Sequence, residues 1–144
     1  MPLPHARLRR LPEAFDGLMD AEAIRVLVIT VVAALVAVSW HECAHVLVAL
    51  RYGGRFAGLV FRAPFLAVRI DQTAVMRGAT VPIALAGPAA DLTLAALVFA
   101  LGSVGLLTWR EALYASLWPG LSLALNLLPL PHTDGWRVHR AFAS

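Results

Sequence analysis

The sequence His41-Glu42-Cys43-Ala44-His45 lies inside an apolar run, residues 24–50, that reads IRVLVITVVAALVAVSWHECAHVLVAL. No other feature restricts so strongly what this chain can fold into. A run of this length can cross a bilayer as a single helix, which needs about 20 apolar residues. Apart from Arg25 near one end, the pentapeptide holds all the ionisable groups in the run. Imidazoles and a carboxylate are costly in hydrocarbon, so their presence there marks a functional site. At a rise of about 1.5 Å per residue, His41 would lie roughly 25 Å from Ile24 and about 13 Å from Leu50. The cluster is therefore expected at depth.

Composition agrees with a bilayer. The 144 residues are 60% hydrophobic and only 15% charged, against about half and a quarter in soluble domains. The length suits one domain and leaves room for three or four spans. All twelve basic residues are arginines, and they are scattered along the chain rather than gathered on one face. No nucleic-acid partner is expected from that pattern. Cys43 is the single cysteine, so no disulfide is available within the chain, and a small buried filler between the histidines is its expected role.

Residues 1–23 read as a polar leader in which Pro12-Glu13 can open a short interfacial helix with Phe15, Leu18 and Met19 on its apolar side. Glu13, Asp16, Asp20 and Glu22 separate its arginines from the apolar block. That is not the layout of a cleavable signal peptide, and the first span is expected to remain in the mature protein. Gly53-Gly54 stops this span. Residues 55–78 contain the only strand-like patterns, at Gly58-Leu59-Val60-Phe61 and Val68-Arg69-Ile70-Asp71, and predict a small hairpin or sheet at the membrane surface.

A second span is predicted over residues 81–101, opening at Pro82, with Ala84, Ala86, Gly87, Ala89 and Ala90 giving a small-residue surface for close packing. A third begins near Glu111, is kinked or divided at Pro119-Gly120, and is broken by Pro129 and Pro131. The fold class is thus a mainly α, multi-pass membrane protein. It has a three-helix transmembrane core, residues 24–137, with a short tail over 138–144. Arginines favour an outside N-terminus: seven lie in the 51–79 loop and the tail, five on the other side.

The chemistry follows from spacing. His41 and His45, four apart, share one helical face and can hold one metal ion between their ring nitrogens. Glu42 is adjacent and can serve as a general base toward water bound to that ion. Such spacing is a metalloprotease signal. Two protein ligands are too few, and Asp91, His132 and Asp134 are the candidates for a third. Asp134 is best placed, because Pro129 and Pro131 must break the helix ahead of it. Irregular backbone at membrane depth is tolerated only inside protein or beside a water-filled cavity.

Three motifs in order resemble the site-2 protease family of intramembrane zinc metalloproteases. They are His41-Glu42-Cys43-Ala44-His45, Gly87-Pro88-Ala89-Ala90-Asp91, and Asn126-Leu127-Leu128-Pro129-Leu130-Pro131-His132-Thr133-Asp134-Gly135, one per apolar block. The resemblance covers residues 24–137. It implies that His41, His45 and Asp134 bind one Zn2+ and that Glu42 is the catalytic base. It also implies cleavage of a transmembrane or membrane-associated peptide in a bacterial-type cytoplasmic membrane, with the site nearer the cytosol. Asn126 and Asp91 are the candidate substrate-positioning residues, and His132 is a loop residue beside the ligand. Asp91 departs from the family pattern, which usually ends that motif in Asn. The 144 residues leave no room for the peptide-binding and nucleotide-binding modules many relatives append. Substrate selection is therefore expected from the membrane core, from a strand edge or from a partner, and the edge near Val68 and Asp71 could receive substrate as an added strand. Two other readings are an inactive relative that holds transmembrane partners and a metal carrier. The carrier has little support, since a single ligand cluster and no inverted repeat are visible.

Overall fold

The computed structural model describes residues 20–62, 65–71 and 78–143. The expected leader helix around Pro12 to Met19 lies outside these residues, as do Ala63-Pro64 and Arg77. Helix α1 spans Ala21–Arg51, strand β1 Arg55–Arg62, strand β2 Phe65–Asp71, helix α2 Thr80–Ser103, helix α3 Trp109–Leu127 and helix α4 Asp134–Ala143. The protein is mainly helical, and α1 and α2 are each long and apolar enough to cross a membrane.

Helix α1 begins before the apolar run because its start signals stand upstream of it. The Asp20 carboxylate caps the helix, accepting from the Ala23 N–H at 2.6 Å, and Glu22 lies in the first turn, where a negative charge suits the helix dipole. Its buried residues are Ala37, His41, His45 and Ala49. They fall at intervals of four, so they form one stripe along the helix. Leu27, Val31, Leu35, Trp40 and Leu47 point away from the protein. Cys43 is exposed as well, which corrects the expectation of a buried filler. Two residues beyond His41 is about 200° around the helix, so burial of the histidines turns the thiol outward.

This distribution is inverted relative to a water-soluble domain. The most completely buried large side chains are Asp91 and Pro119, while leucines and valines cover the outside. Soluble monomers rarely expose contiguous apolar surface on this scale.

Strands β1 and β2 form an antiparallel hairpin between α1 and α2, with Arg55 opposite Asp71 and Leu59 opposite Val68. The pairing is irregular between Phe56 and Gly58, where Gly58 takes φ 122°, a conformation open to glycine. In α2, Pro82 sits in the first turn, where no intrahelical N–H is required. Pro88 is interior and buried.

Helix α3 opens with a capping box: Thr108 Oγ1 accepts from the Glu111 N–H, and Glu111 Oε2 accepts from the Thr108 N–H at 2.8 Å. Glu111 also meets Arg25 Nε at 2.6 Å, joining the starts of α1 and α3. The expected division at Pro119-Gly120 does not occur; α3 is one helix through Pro119. The proline removes one backbone donor, while its fully buried ring packs in the interior. Helices α1, α2 and α3 pack on one another, and α4 packs against α2 and α3. The stretch read as a tail thus belongs largely to α4.

Candidate metal centre

Two stripes meet to make the site. His41 and His45 project from the buried stripe of α1. Facing them on α2 are Ile83, Gly87 and Asp91, again spaced by four and all buried. The outer residues of this second stripe hold the two imidazoles from behind. His45 Nδ1 lies 2.6 Å from the Ile83 carbonyl, and His41 Nδ1 lies 2.8 Å from Asp91 Oδ2. A carbonyl and a carboxylate only accept, so each Nδ1 carries a hydrogen, and in the neutral imidazole each Nε2 then keeps its lone pair. Both Nε2 atoms point at the same place, 3.1 Å apart.

Gly87 lies between these two anchors. A Cβ built there would overlap the Nε2 atoms of both His41 and His45. The small residue is required by the rings, not only by close helix packing.

The third group arrives through the broken backbone after α3. Helix α3 ends at Leu127, Leu128 is extended, and Pro129 and Pro131 prevent the helix from resuming. His132 takes φ 74°, and Thr133 Oγ1 donates toward the Leu128 and Leu130 carbonyls at 2.6 and 2.8 Å. The same Oγ1 accepts from the Trp136 N–H at 3.2 Å, capping α4. Asp134 is therefore the first residue of α4 and is held on both sides. A Cβ at Gly135 would come within 2.6 Å of the Leu128 carbonyl oxygen, so the Asp-Gly pair lets α4 start against the end of α3.

Asp134 is only 6% exposed. Its Oδ2 lies 3.1 Å from His45 Nε2 and 3.4 Å from His41 Nε2. Donor atoms bonded at about 2.0–2.1 Å in a tetrahedron stand roughly 3.3 Å apart. Three edges of 3.1, 3.1 and 3.4 Å match one face of that tetrahedron. The buried group His41, His45 and Asp134 could hold a metal ion.

The other candidates separate cleanly. Asp91 lies behind His41, with Oδ2 on Nδ1 rather than beside Nε2, and is 0% exposed. His132 is exposed and serves the turn through its backbone. Replacing His132 with Gly is expected to leave metal content unchanged, since glycine adopts that φ freely. A fall in metal per protein, measured by elemental analysis, would make His132 a ligand. Glu42 is half-buried beside the first histidine. Asn126 is half-buried too, and its Nδ2 reaches Ser122 Oγ at 3.3 Å.

Sequence reasoning did not find Ile83 or Ser122, whose Oγ donates to Asp91 Oδ2 at 2.7 Å. The spacing 83, 87, 91 was a visible signal for the first, and the spacing 122, 126 for the second. Neither says which helix it faces. Comparison of the chain with protein-family models, with curated proteins and with solved structures gives no match.

Proposed function

We propose that this chain is an intramembrane zinc metalloendopeptidase of the site-2 protease kind, cutting transmembrane or membrane-associated peptides. The observation that carries the reading is the triangle of His41 Nε2, His45 Nε2 and Asp134 Oδ2, set on a helix of membrane-spanning length with Glu42 beside it. Two imidazoles, one carboxylate and a remaining open position are the donor set of hydrolytic zinc sites. The inside-out distribution of apolar residues supports a bilayer around the protein. The order of the three motifs supports the family.

In this reading α1, α2 and α3 form the transmembrane core, and the hairpin lies at the membrane surface. The arginine bias puts the N-terminus outside and the site nearer the cytosol of a bacterial-type membrane.

A bound zinc ion supplies a Lewis acid and lowers the pKa of its water to about 7. The chain's own groups do the remainder. Glu42 takes the proton from the attacking water and can return it to the leaving amine. His41, His45 and Asp134 hold their donor atoms in place before any ligand arrives, which avoids reorganisation during reaction. Asn126 has a second amide hydrogen beyond the one directed at Ser122, and it can donate to an extended substrate backbone. The hairpin offers strand edges to the same substrate, and extension is needed because a helical substrate hides its carbonyls.

The test is the full chain purified in detergent and reconstituted with a transmembrane peptide. One zinc per chain and cleavage abolished by chelator, then restored by zinc, are expected. Asp134→Ala is expected to lose the metal and the cleavage together, because two imidazoles alone do not complete the site. A wild-type chain that cleaves equally after exhaustive chelation would remove the proposal.

A further inference from the structure

We propose that Asp91 and Ser122 are positioning residues for the metal ligand His41, acting as one relay from α3 through α2 to α1. The inference rests on the metalloprotease reading of the site, and it concerns what sets the ligand's geometry rather than the ligands themselves.

The relay has four members. Asn126 Nδ2 donates to Ser122 Oγ at 3.3 Å. Ser122 Oγ donates to Asp91 Oδ2 at 2.7 Å. The same Oδ2 accepts from His41 Nδ1 at 2.8 Å. His41 Nε2 then faces Asp134 and His45. A metal-bound histidine generally needs such a partner to fix its tautomer and ring orientation.

The identity of residue 91 matters here. A carboxylate only accepts, so it permits a single tautomer of His41, the one with its hydrogen on Nδ1. An asparagine carries both a donor and an acceptor and would tolerate either tautomer. His45 obtains the same restriction from the Ile83 backbone carbonyl. Both ligands are thus set alike by acceptors on one stripe of α2.

Asp91 is also an unfavourable choice for packing alone. It is 0% exposed, and its Oδ1 has no hydrogen-bond partner among the described residues. A buried carboxylate with an unmatched oxygen destabilises a fold unless a nearby positive charge offsets it. A metal ion held at the far side of the His41 ring would supply such a charge. Ser122 adds a second donor to the oxygen that faces the ring, which holds the carboxylate against rotation.

The experiment uses the full chain in detergent, with zinc affinity read by competition against a chromophoric chelator. The visible spectrum of the cobalt-substituted protein reports ligand geometry. Asp91→Leu is expected to weaken zinc binding by about 10- to 100-fold. Asp91→Asn, which keeps one acceptor, is expected to lose less, and Ser122→Ala to shift affinity in the same direction. All three are expected to shift the cobalt bands, while the metal-free melting temperature of Asp91→Asn stays level or rises. Should Asp91→Leu fail to fold, Asp91→Asn and Ser122→Ala still give the reading. Wild-type affinity and an unchanged cobalt spectrum in Asp91→Asn and Ser122→Ala overturn the relay. So does an affinity loss matched by a lower metal-free melting temperature, which marks a packing role. If Asp134→Ala loses zinc while the Asp91 variants keep it, the relay falls and the site stands. A wild-type chain that binds no metal overturns both.

Discussion

Glu42→Gln is expected to retain one zinc per chain and to lose peptide cleavage by about 10²- to 10⁴-fold, the usual contribution of a positioned general base. The amide is close in size to the carboxylate but cannot take a proton at neutral pH. Glu42 is not among the three converging donors, so its replacement should leave the metal in place. The measurement is zinc stoichiometry and cleavage rate on the same preparation. The result also separates the enzyme from an inactive relative that merely holds transmembrane partners. A holding protein would keep its effect in the Glu42→Gln form, because a structural metal site has no use for a base. Undiminished cleavage with zinc bound would sink the assignment of Glu42.

Gly87→Ala is expected to abolish stoichiometric metal binding while the protein stays helical. In a helix interior, alanine is ordinarily better than glycine by about 1 kcal/mol, so local propensity predicts a more stable protein. The tertiary contact predicts the opposite for the site. The added Cβ would overlap both Nε2 atoms. To make room, either the two rings turn aside or α2 retreats from α1, and either movement breaks the contacts of the Nδ1 atoms with the Ile83 carbonyl and the Asp91 carboxylate. The rings then lose their tautomer and their direction together. Circular dichroism should show preserved helix while elemental analysis shows the metal gone. Wild-type zinc in Gly87→Ala would mean that α2 does not press on the histidines as closely as this structure has it.

Much of the helical framework was legible because helix signals are local. The apolar run marked α1, though not its start at the Asp20 cap, Pro82 marked the opening of α2, and the paired prolines at 129 and 131 marked the end of α3. The hairpin was legible in outline from alternation near residue 70. Two local readings need adjustment. Of the two outcomes Pro119-Gly120 suggested, a kink or a division, the division does not occur, since a single missing donor is tolerated when the ring itself is buried. Cys43 suggested a buried filler, although its angular distance from His41 pointed the other way. Helix α4 extends through residues read as a tail, since its start is set by the Thr133 cap and not by an apolar run.

The site divides along the same line. The four-residue interval placing His41 and His45 on one face is a property of any α-helix, and it could be read from letters alone. So could the need for a third ligand, and three candidates for it. Choosing among Asp91, His132 and Asp134 required tertiary structure, because periodicity describes which residues share a face but not which faces touch. Packing brought Ile83 and Asp91 of α2 behind the imidazoles and swung Asp134 to their front. The sequence alone determined that two imidazoles and a carboxylate would be carried on one apolar helix. Only the fold decided which carboxylate turns toward their Nε2 atoms and which stands behind, since that depends on contacts between residues 50 and 89 positions apart.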